Sequence, residues 1–127
     1  MTKNDWSPES YLQAYHFAAE AHLGQAVPGT EISYIMHLSM VSMEVIKALA
    51  EEEGPLDGNL ALQASILHDI IEDTTTTYEQ VKNEFGVKVA DGVLAPTKNE
   101  ALEKSEQMED SLRRIKQQSK EIWMVKL

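Results

Sequence analysis

The stretch from Leu67 to Asp73 constrains the fold of this chain more than any other feature. It alternates apolar and polar residues, in the order Leu67, His68-Asp69, Ile70-Ile71 and Glu72-Asp73. Because helical positions four apart share a face, His68 should lie over Glu72 and Asp69 over Asp73, while the apolar residues face a core. The pattern therefore predicts a helix with one buried face and one face that gathers an imidazole and three carboxylates.

Three carboxylates on one helix face are unfavourable unless something compensates for their charge. Asp69, Glu72 and Asp73 would repel one another, and the last two lie near a helix C-terminus, where the helix dipole disfavours negative charge. A divalent cation would remove both penalties, since imidazole nitrogen and carboxylate oxygen are good ligands for first-row metals. A carboxylate that is not a ligand could then activate water. The alternative is a solvated acidic helix end that carries a histidine by chance.

His37 is a candidate third ligand. It lies near the first turn of a second predicted helix, beside an apolar stripe formed by Leu38, Val41, Val45 and Leu49. A lone histidine in such a position is more often an ordinary boundary residue than a ligand. It gains interest only if the fold brings it to His68 and Asp69.

Capping and breaking residues divide the chain into helices. Ser7 followed by Pro8 is a typical helix start, and Gly24 is a typical helix end. Apolar spacing and further stop signals predict a second helix that begins near residue 34 or 35 and closes within residues 51–55. They also predict helices with approximate bounds 59–72, 78–85 and 87–94, and a long last helix from about Glu100. No alternating strand pattern is present in the sequence. The sequence therefore predicts an all-α bundle, a single domain over residues 1–127.

The last predicted helix carries an apolar stripe, formed by Met108, Leu112, Ile115 and Ile122. Near its end, Ile122, Trp123 and Val125 should be poorly covered unless another chain packs there. A homo-oligomer is therefore one of the arrangements that the sequence leaves open.

Composition excludes several classes of function. The net charge of −10 argues against a broad nucleic-acid-binding surface. The chain has no cysteine, which excludes disulfides and thiol chemistry. No apolar run approaches the ~20 residues that a membrane-spanning helix needs, and no secretory signal is visible. We therefore expect a cytoplasmic protein that binds neither nucleic acid nor membrane.

Five blocks of the sequence, taken in order, are similar to those of a known family. They are Ala21-His22-Leu23-Gly24-Gln25, Ser33-Tyr34-Ile35-Met36-His37, Leu67-His68-Asp69-Ile70-Ile71-Glu72-Asp73-Thr74, Phe85-Gly86-Val87-Lys88-Val89-Ala90 and Thr97-Lys98. Together they resemble the HD-domain hydrolases of the RelA/SpoT type, especially the stand-alone small alarmone hydrolases. The resemblance extends over nearly the whole chain, and it implies an all-α HD fold that binds one Mn²⁺ ion.

The resemblance also implies a role for each residue of the polar cluster. His37, His68 and Asp69 match metal ligands of the family, and Glu72 and Asp73 match the pair that positions and activates the attacking water. The implied reaction removes pyrophosphate from the 3′ position of guanosine tetra- or pentaphosphate, the alarmones of the stringent response. This agrees with the chemistry of the residues, because a metal neutralises phosphoryl charge while carboxylates take up the proton. No residue is assigned to substrate binding.

The sequence departs from the family pattern in three places. Ala26 and Val27 stand where the family usually carries basic residues that contact the nucleotide, and Leu38 replaces a proline. The fourth metal ligand of the family is an aspartate in a segment resembling Val-Lys-Leu-Ala-Asp, and this sequence stops after Val125-Lys126-Leu127. We therefore expect a fragment or a truncated member, which would by itself bind metal weakly and hydrolyse little or no alarmone.

Two other functions remain open beside alarmone hydrolysis. A degenerate HD domain would bind a nucleotide or a protein partner without turnover, and the missing basic residues favour that function. An HD phosphohydrolase could instead act on another nucleotide, such as a deoxynucleoside monophosphate. The block that ends at Gln25 and the Glu72-Asp73-Thr74 block favour the alarmone branch.

Overall fold

The computed structural model describes residues 4–97 and 101–126, with side chains as far as residue 123. Lys98, Glu100 and Leu127, which figured in the sequence predictions, lie outside the described residues. The described part contains eight helices: α1 (Pro8–Ala21), α2 (Ile35–Glu51), α3 (Gly58–Leu67), α4 (Ile70–Asp73), α5 (Tyr78–Phe85), α6 (Val87–Leu94), α7 (Lys104–Lys116) and α8 (Lys120–Lys126). Its β pairing is limited to one isolated bridge between Ala26 and Ser33. The predicted all-α fold is confirmed.

Capping residues set the starts of α1 and α5 as the sequence predicts, whereas α1 ends at Ala21 and not at the predicted Gly24. The Ser7 hydroxyl accepts a hydrogen bond from the Ser10 N–H at 3.1 Å, and proline occupies the first turn of α1. Thr77 and Gln80 form a reciprocal capping box at the start of α5, with distances of 3.2 and 2.8 Å. The helices α5 and α6 have the predicted bounds, and none of the described helices is long and apolar enough to cross a bilayer.

The helix α3 lies at the centre of the bundle. It contacts α1, α2, α6 and α8, and the side chains from Ala61 to Leu67 are all buried. Its buried polar residues are paired, since Gln63 donates to the Ser10 carbonyl at 2.9 Å and Ser65 donates to the Leu62 carbonyl at 2.7 Å. The C-terminal end of α3 is therefore fixed relative to four neighbouring helices.

The third helix ends earlier than the sequence predicts. His68 and Asp69 form a turn that separates α3 from α4. The His68 ring bonds to the Ser65 carbonyl at 2.6 Å, and a side chain that binds a nearby carbonyl competes with the helical ladder. The prediction of one continuous helix over 59–72 is therefore wrong. The predicted spacing of Asp69 and Asp73, four residues apart on one helical turn, is retained, because the Asp73 N–H bonds to the Asp69 carbonyl at 2.9 Å.

The last part of the chain forms two helices and not one long helix. Gln117 ends α7, and a turn leads into α8. The Trp123 indole N–H donates to the Ile115 carbonyl at 2.7 Å, which satisfies one of the carbonyls left open at the end of α7. The helix α8 thus contacts α7 on one side, and it also packs against α3.

The turn between α7 and α8 changes which residues of the predicted stripe are buried. Ile122 is only 2% exposed and lies against Gly92 of α6, so the expectation that another chain must cover it is wrong. Trp123 is 42% exposed, as expected, and the side chain of Val125 lies outside the described residues. Met108 and Leu112 are 63% and 48% exposed, because only one side of α7 faces the bundle. The chain therefore covers Ile122 with its own helices.

We predict that Gly58→Ala destabilises the protein. A Cβ at Gly58 would meet the Asp5 carbonyl oxygen and lie 2.8 Å from the Asn4 carbonyl oxygen. We expect the free energy of unfolding to fall by about 1–3 kcal/mol, as in other overpacked sites, although alanine in a helix is ordinarily about 1 kcal/mol better than glycine. Equilibrium urea denaturation measures the change, and Ser105→Ala on the exposed face of α7 is the control. A Gly58→Ala variant as stable as the wild type would contradict this packing.

Candidate metal centre

Three polar side chains from separate parts of the sequence meet at the end of α3. His37 lies in the first turn of α2, whereas His68 and Asp69 form the turn that follows α3. Each offers one ligand atom, and these atoms lie within 4.8 Å of one another. The rings of His37 and His68 have centroids 6.1 Å apart. The structure thus brings together the three residues that the sequence singled out as candidate ligands.

A single hydrophobic core holds these side chains in place. Leu38 follows His37 in the sequence, Leu67 precedes His68, and Ile70 follows Asp69. All three apolar neighbours are fully buried in the same core cluster. Each candidate ligand is therefore adjacent to an anchored residue, and the half-buried polar pair at the turn is held between two buried ones.

The hydrogen bonds of His68 determine which ring nitrogen faces the cluster. Its Nδ1 lies 2.6 Å from the Ser65 carbonyl, and because a carbonyl only accepts, Nδ1 must carry a proton. The other nitrogen, Nε2, lies 3.0 Å from Asp69 Oδ2. Metal-bound histidines usually donate their second ring N–H to a carbonyl or carboxylate in this way.

The spacing of Nε2 and Oδ2 fits a cation between them. With Nδ1 protonated, a neutral His68 ring presents a lone pair at Nε2, and the Asp69 carboxylate is also an acceptor. Two acceptors approach to 3.0 Å only when a proton or a positive ion lies between them. Two ligands about 2.1 Å from one metal and at right angles to each other are about 3 Å apart. The donor set of two imidazoles and one carboxylate suits a first-row divalent metal.

Tyr34 fixes the orientation of the Asp69 carboxylate. The tyrosine hydroxyl donates to Asp69 Oδ2 at 2.5 Å, and its ring lies beside His37 with centroids 5.3 Å apart. Burial, and then the hydrogen bond to Asp69, raise the pKa of Tyr34 well above its usual range, so the hydroxyl stays protonated and donates. The sequence assigned Tyr34 no role, although it lies in the same block as His37.

Asp69 is ionised throughout the physiological pH range. Burial by itself would raise its pKa, but the hydrogen bond and charge of His68, the hydrogen bond of Tyr34 and the charge of His37 outweigh burial and lower the pKa to about 2. The pKa of Asp69 in the folded protein is lower than that of an ordinary carboxyl group. Ionised Asp69 therefore stabilises the fold at every pH above the ordinary pKa, and this stabilisation is lost as the pH falls through the lowered pKa. A carboxylate must be ionised to bind a metal, so Asp69 is ready to do so.

Glu72 and Asp73 lie one turn beyond the candidate ligands, on the short helix α4. Both are exposed, and among the described residues the close cluster comprises only the two imidazoles and Asp69. After burial and Asp69, the charge of Asp73 also contributes to the raised pKa of Tyr34. Both carboxylates are exposed to solvent on the helix that follows the cluster.

A family model described as an HD domain matches residues 14–124 of the chain. The matched segment contains all three candidate ligands as well as Glu72 and Asp73. The chain belongs to the HD domain family.

This HD domain has relatives that carry the name guanosine-3′,5′-bis(diphosphate) 3′-pyrophosphohydrolase. One from Aquifex aeolicus is 37% identical over 103 residues, which cover 80% of this chain and 14% of the relative. Another, MESH1 from Xenopus tropicalis, is 35% identical over 117 residues, which cover 91% of this chain and 63% of the relative. The HD domain described here thus spans less than two thirds of either relative.

A solved structure shares the fold of this HD domain. It is described as a metazoan ortholog of SpoT that hydrolyses ppGpp and plays a role in starvation responses, and it superposes with a TM-score of 0.76. The match covers 96% of this chain and 66% of the other, at 24% sequence identity. This likeness confirms the helical architecture of the HD domain.

We predict that removal of the Tyr34 hydroxyl weakens metal binding at this HD domain. Tyr34→Phe should lower the affinity for Mn²⁺ by about 10–100-fold, because residues that orient metal ligands typically contribute that much. Titration calorimetry measures the affinity. Tyr11→Phe is the matched control, since it removes a hydroxyl that lies 3.0 Å from Ser42 Oγ and not at the cluster. Equal affinities in Tyr34→Phe and the control would show that the hydroxyl does not support the site.

Proposed function

We propose that this HD domain is a Mn²⁺-dependent phosphohydrolase that removes pyrophosphate from the 3′ position of guanosine tetra- or pentaphosphate. The observation that carries the proposal is the convergence of His37, His68 and Asp69 within 4.8 Å. Relatives named for this reaction, at 37% and 35% identity, support the substrate class. The ordered blocks shared with alarmone hydrolases support the same branch of the family.

The residues around the cluster would divide the work of hydrolysis. His37, His68 and Asp69 would hold the metal, which when bound lowers the pKa of water and neutralises phosphoryl charge. Tyr34 keeps one Asp69 oxygen in place through its hydrogen bond of 2.5 Å. Glu72, one turn further on and exposed, would take a proton from the attacking water, and Asp73 would position that water.

The assay that tests this function incubates the full-length natural protein, with any residues that follow Leu127, with guanosine tetraphosphate and Mn²⁺ and measures released pyrophosphate. The proposal requires release that depends on the metal and stops when a chelator is added. Nucleotide binding with no release would support the degenerate binding domain instead. Faster hydrolysis of a deoxynucleoside monophosphate would place the chain in another branch of the HD family. Parallel assays with Zn²⁺ and Fe²⁺ test the preference for Mn²⁺, because the same donors accept those metals.

The carboxylate of Glu72 should affect turnover and not metal content. In the full-length natural protein, we expect Glu72→Gln to lower the turnover number by about 10²–10⁴, the usual range for a general acid or base. Bound Mn²⁺ per chain should stay at the wild-type level, because Glu72 lies outside the close cluster. Glu79→Gln on the exposed start of α5 is the matched control and should retain full turnover. Loss of bound metal in Glu72→Gln, with unchanged rate per metal, would make Glu72 a ligand.

A further inference from the structure

The proposed function assigns no role to the buried imidazole of His22. His22 follows the end of α1 and is only 2% exposed. Its Nδ1 lies 2.9 Å from Gln25 Oε1, whereas its Nε2 has no hydrogen-bond partner among the described residues. A buried polar atom without a partner costs free energy, so a residue that only filled space here would be better replaced by an apolar one.

The direction of the hydrogen bonds around His22 follows from the carbonyl at their far end. Gln25 Nε2 donates to the Asp73 carbonyl at 2.9 Å. Because that carbonyl can only accept, the amide nitrogen of Gln25 must face it, and Oε1 must face His22. The Nδ1 of His22 must then carry a proton. A relay of two hydrogen bonds therefore runs from His22 through Gln25 to the end of α4.

The ring of His22 makes a second contact that reaches the metal site. It lies against the ring of Tyr34, with centroids 5.0 Å apart and an angle of 32° between the planes. The hydroxyl of the same tyrosine binds Asp69. The two routes are joined, because the Tyr34 N–H bonds to the Gln25 carbonyl at 3.0 Å across the loop between α1 and α2.

We propose that His22 is a positioning residue that holds two sides of the metal centre at once. Through Gln25 its N–H fixes the last turn of α4, which carries Asp73. Through the face of its ring it fixes Tyr34, and hence the carboxylate of Asp69. The inference rests on the proposed roles of Asp69 and Asp73. It explains why this buried site has a histidine, which combines a flat ring with an N–H donor on the same side chain.

Two substitutions of His22 separate its hydrogen bond to Gln25 from its ring contact with Tyr34. His22→Phe retains a ring against Tyr34 and removes the N–H donor. The α4 amides of the metal-free protein should then exchange about fivefold faster, the effect of one lost hydrogen bond, while the Mn²⁺ affinity changes little. His22→Asn retains an N–H donor at the position of Nδ1 and removes the ring. It should leave α4 exchange near the wild-type rate and lower the Mn²⁺ affinity by about tenfold.

Hydrogen exchange by mass spectrometry and calorimetry with Mn²⁺ provide the two measurements. The amides of α3 serve as an internal reference, because a general loss of stability would raise the exchange rates of both α3 and α4. Gln25→Met removes the relay at nearly constant side-chain size and should reproduce the His22→Phe result. If neither His22 variant folds, Gln25→Met carries the test, and a loss of Mn²⁺ affinity in it would overturn the proposal.

The outcome that overturns the inference is a failure to separate the two effects. If both His22 variants change α4 exchange and Mn²⁺ affinity together, or change neither, His22 only fills space in the core. Neither measurement uses a nucleotide. An absence of alarmone hydrolysis would therefore refute the proposed function without affecting this test, and the reverse also holds.

Discussion

The site depends on the burial of three apolar residues in one core. Leu38, Leu67 and Ile70 are fully buried in the same cluster, and each is a sequence neighbour of a candidate ligand. The hydrophobic effect therefore determines where the polar side chains can be, because moving a ligand would pull an anchored residue out of the core. The polar groups need only adjust their rotamers within that frame.

The electrostatics of the site are arranged around the Asp69 carboxylate. Burial opposes its charge, yet two imidazoles and the Tyr34 hydroxyl hold its pKa at about 2. A bound metal would take the place of the imidazole protons as the positive charge beside Asp69, because a ligating imidazole is neutral, and the carboxylate is already ionised and oriented. The nearby carboxylates of Glu72 and Asp73 are exposed, so water screens their mutual repulsion. A positive charge at the cluster would offset the repulsion that remains between these carboxylates.

Local signals predicted most of the fold, whereas His37 became a candidate ligand beside His68 and Asp69 only through the resemblance to alarmone hydrolases. Caps such as Thr77 with Gln80 act within a few residues, and their helices have the predicted bounds. The errors arose where a side chain bonds to a carbonyl that local pattern does not reveal. The bond from His68 to Ser65 interrupts the third helix, and the bond from Trp123 accompanies the turn after α7. The relay through Gln25 was missed because it reaches a carbonyl 48 residues away.

We infer that the cluster at the end of α3 holds one divalent metal. Electron paramagnetic resonance at saturating Mn²⁺ counts the bound ions per chain in the wild type, His37→Ala and His16→Ala. His16 is an exposed histidine on α1 and serves as the matched control. We expect one bound Mn²⁺ per chain in the wild type and in His16→Ala, and a loss of that ion in His37→Ala. Equal binding in all three proteins would contradict it.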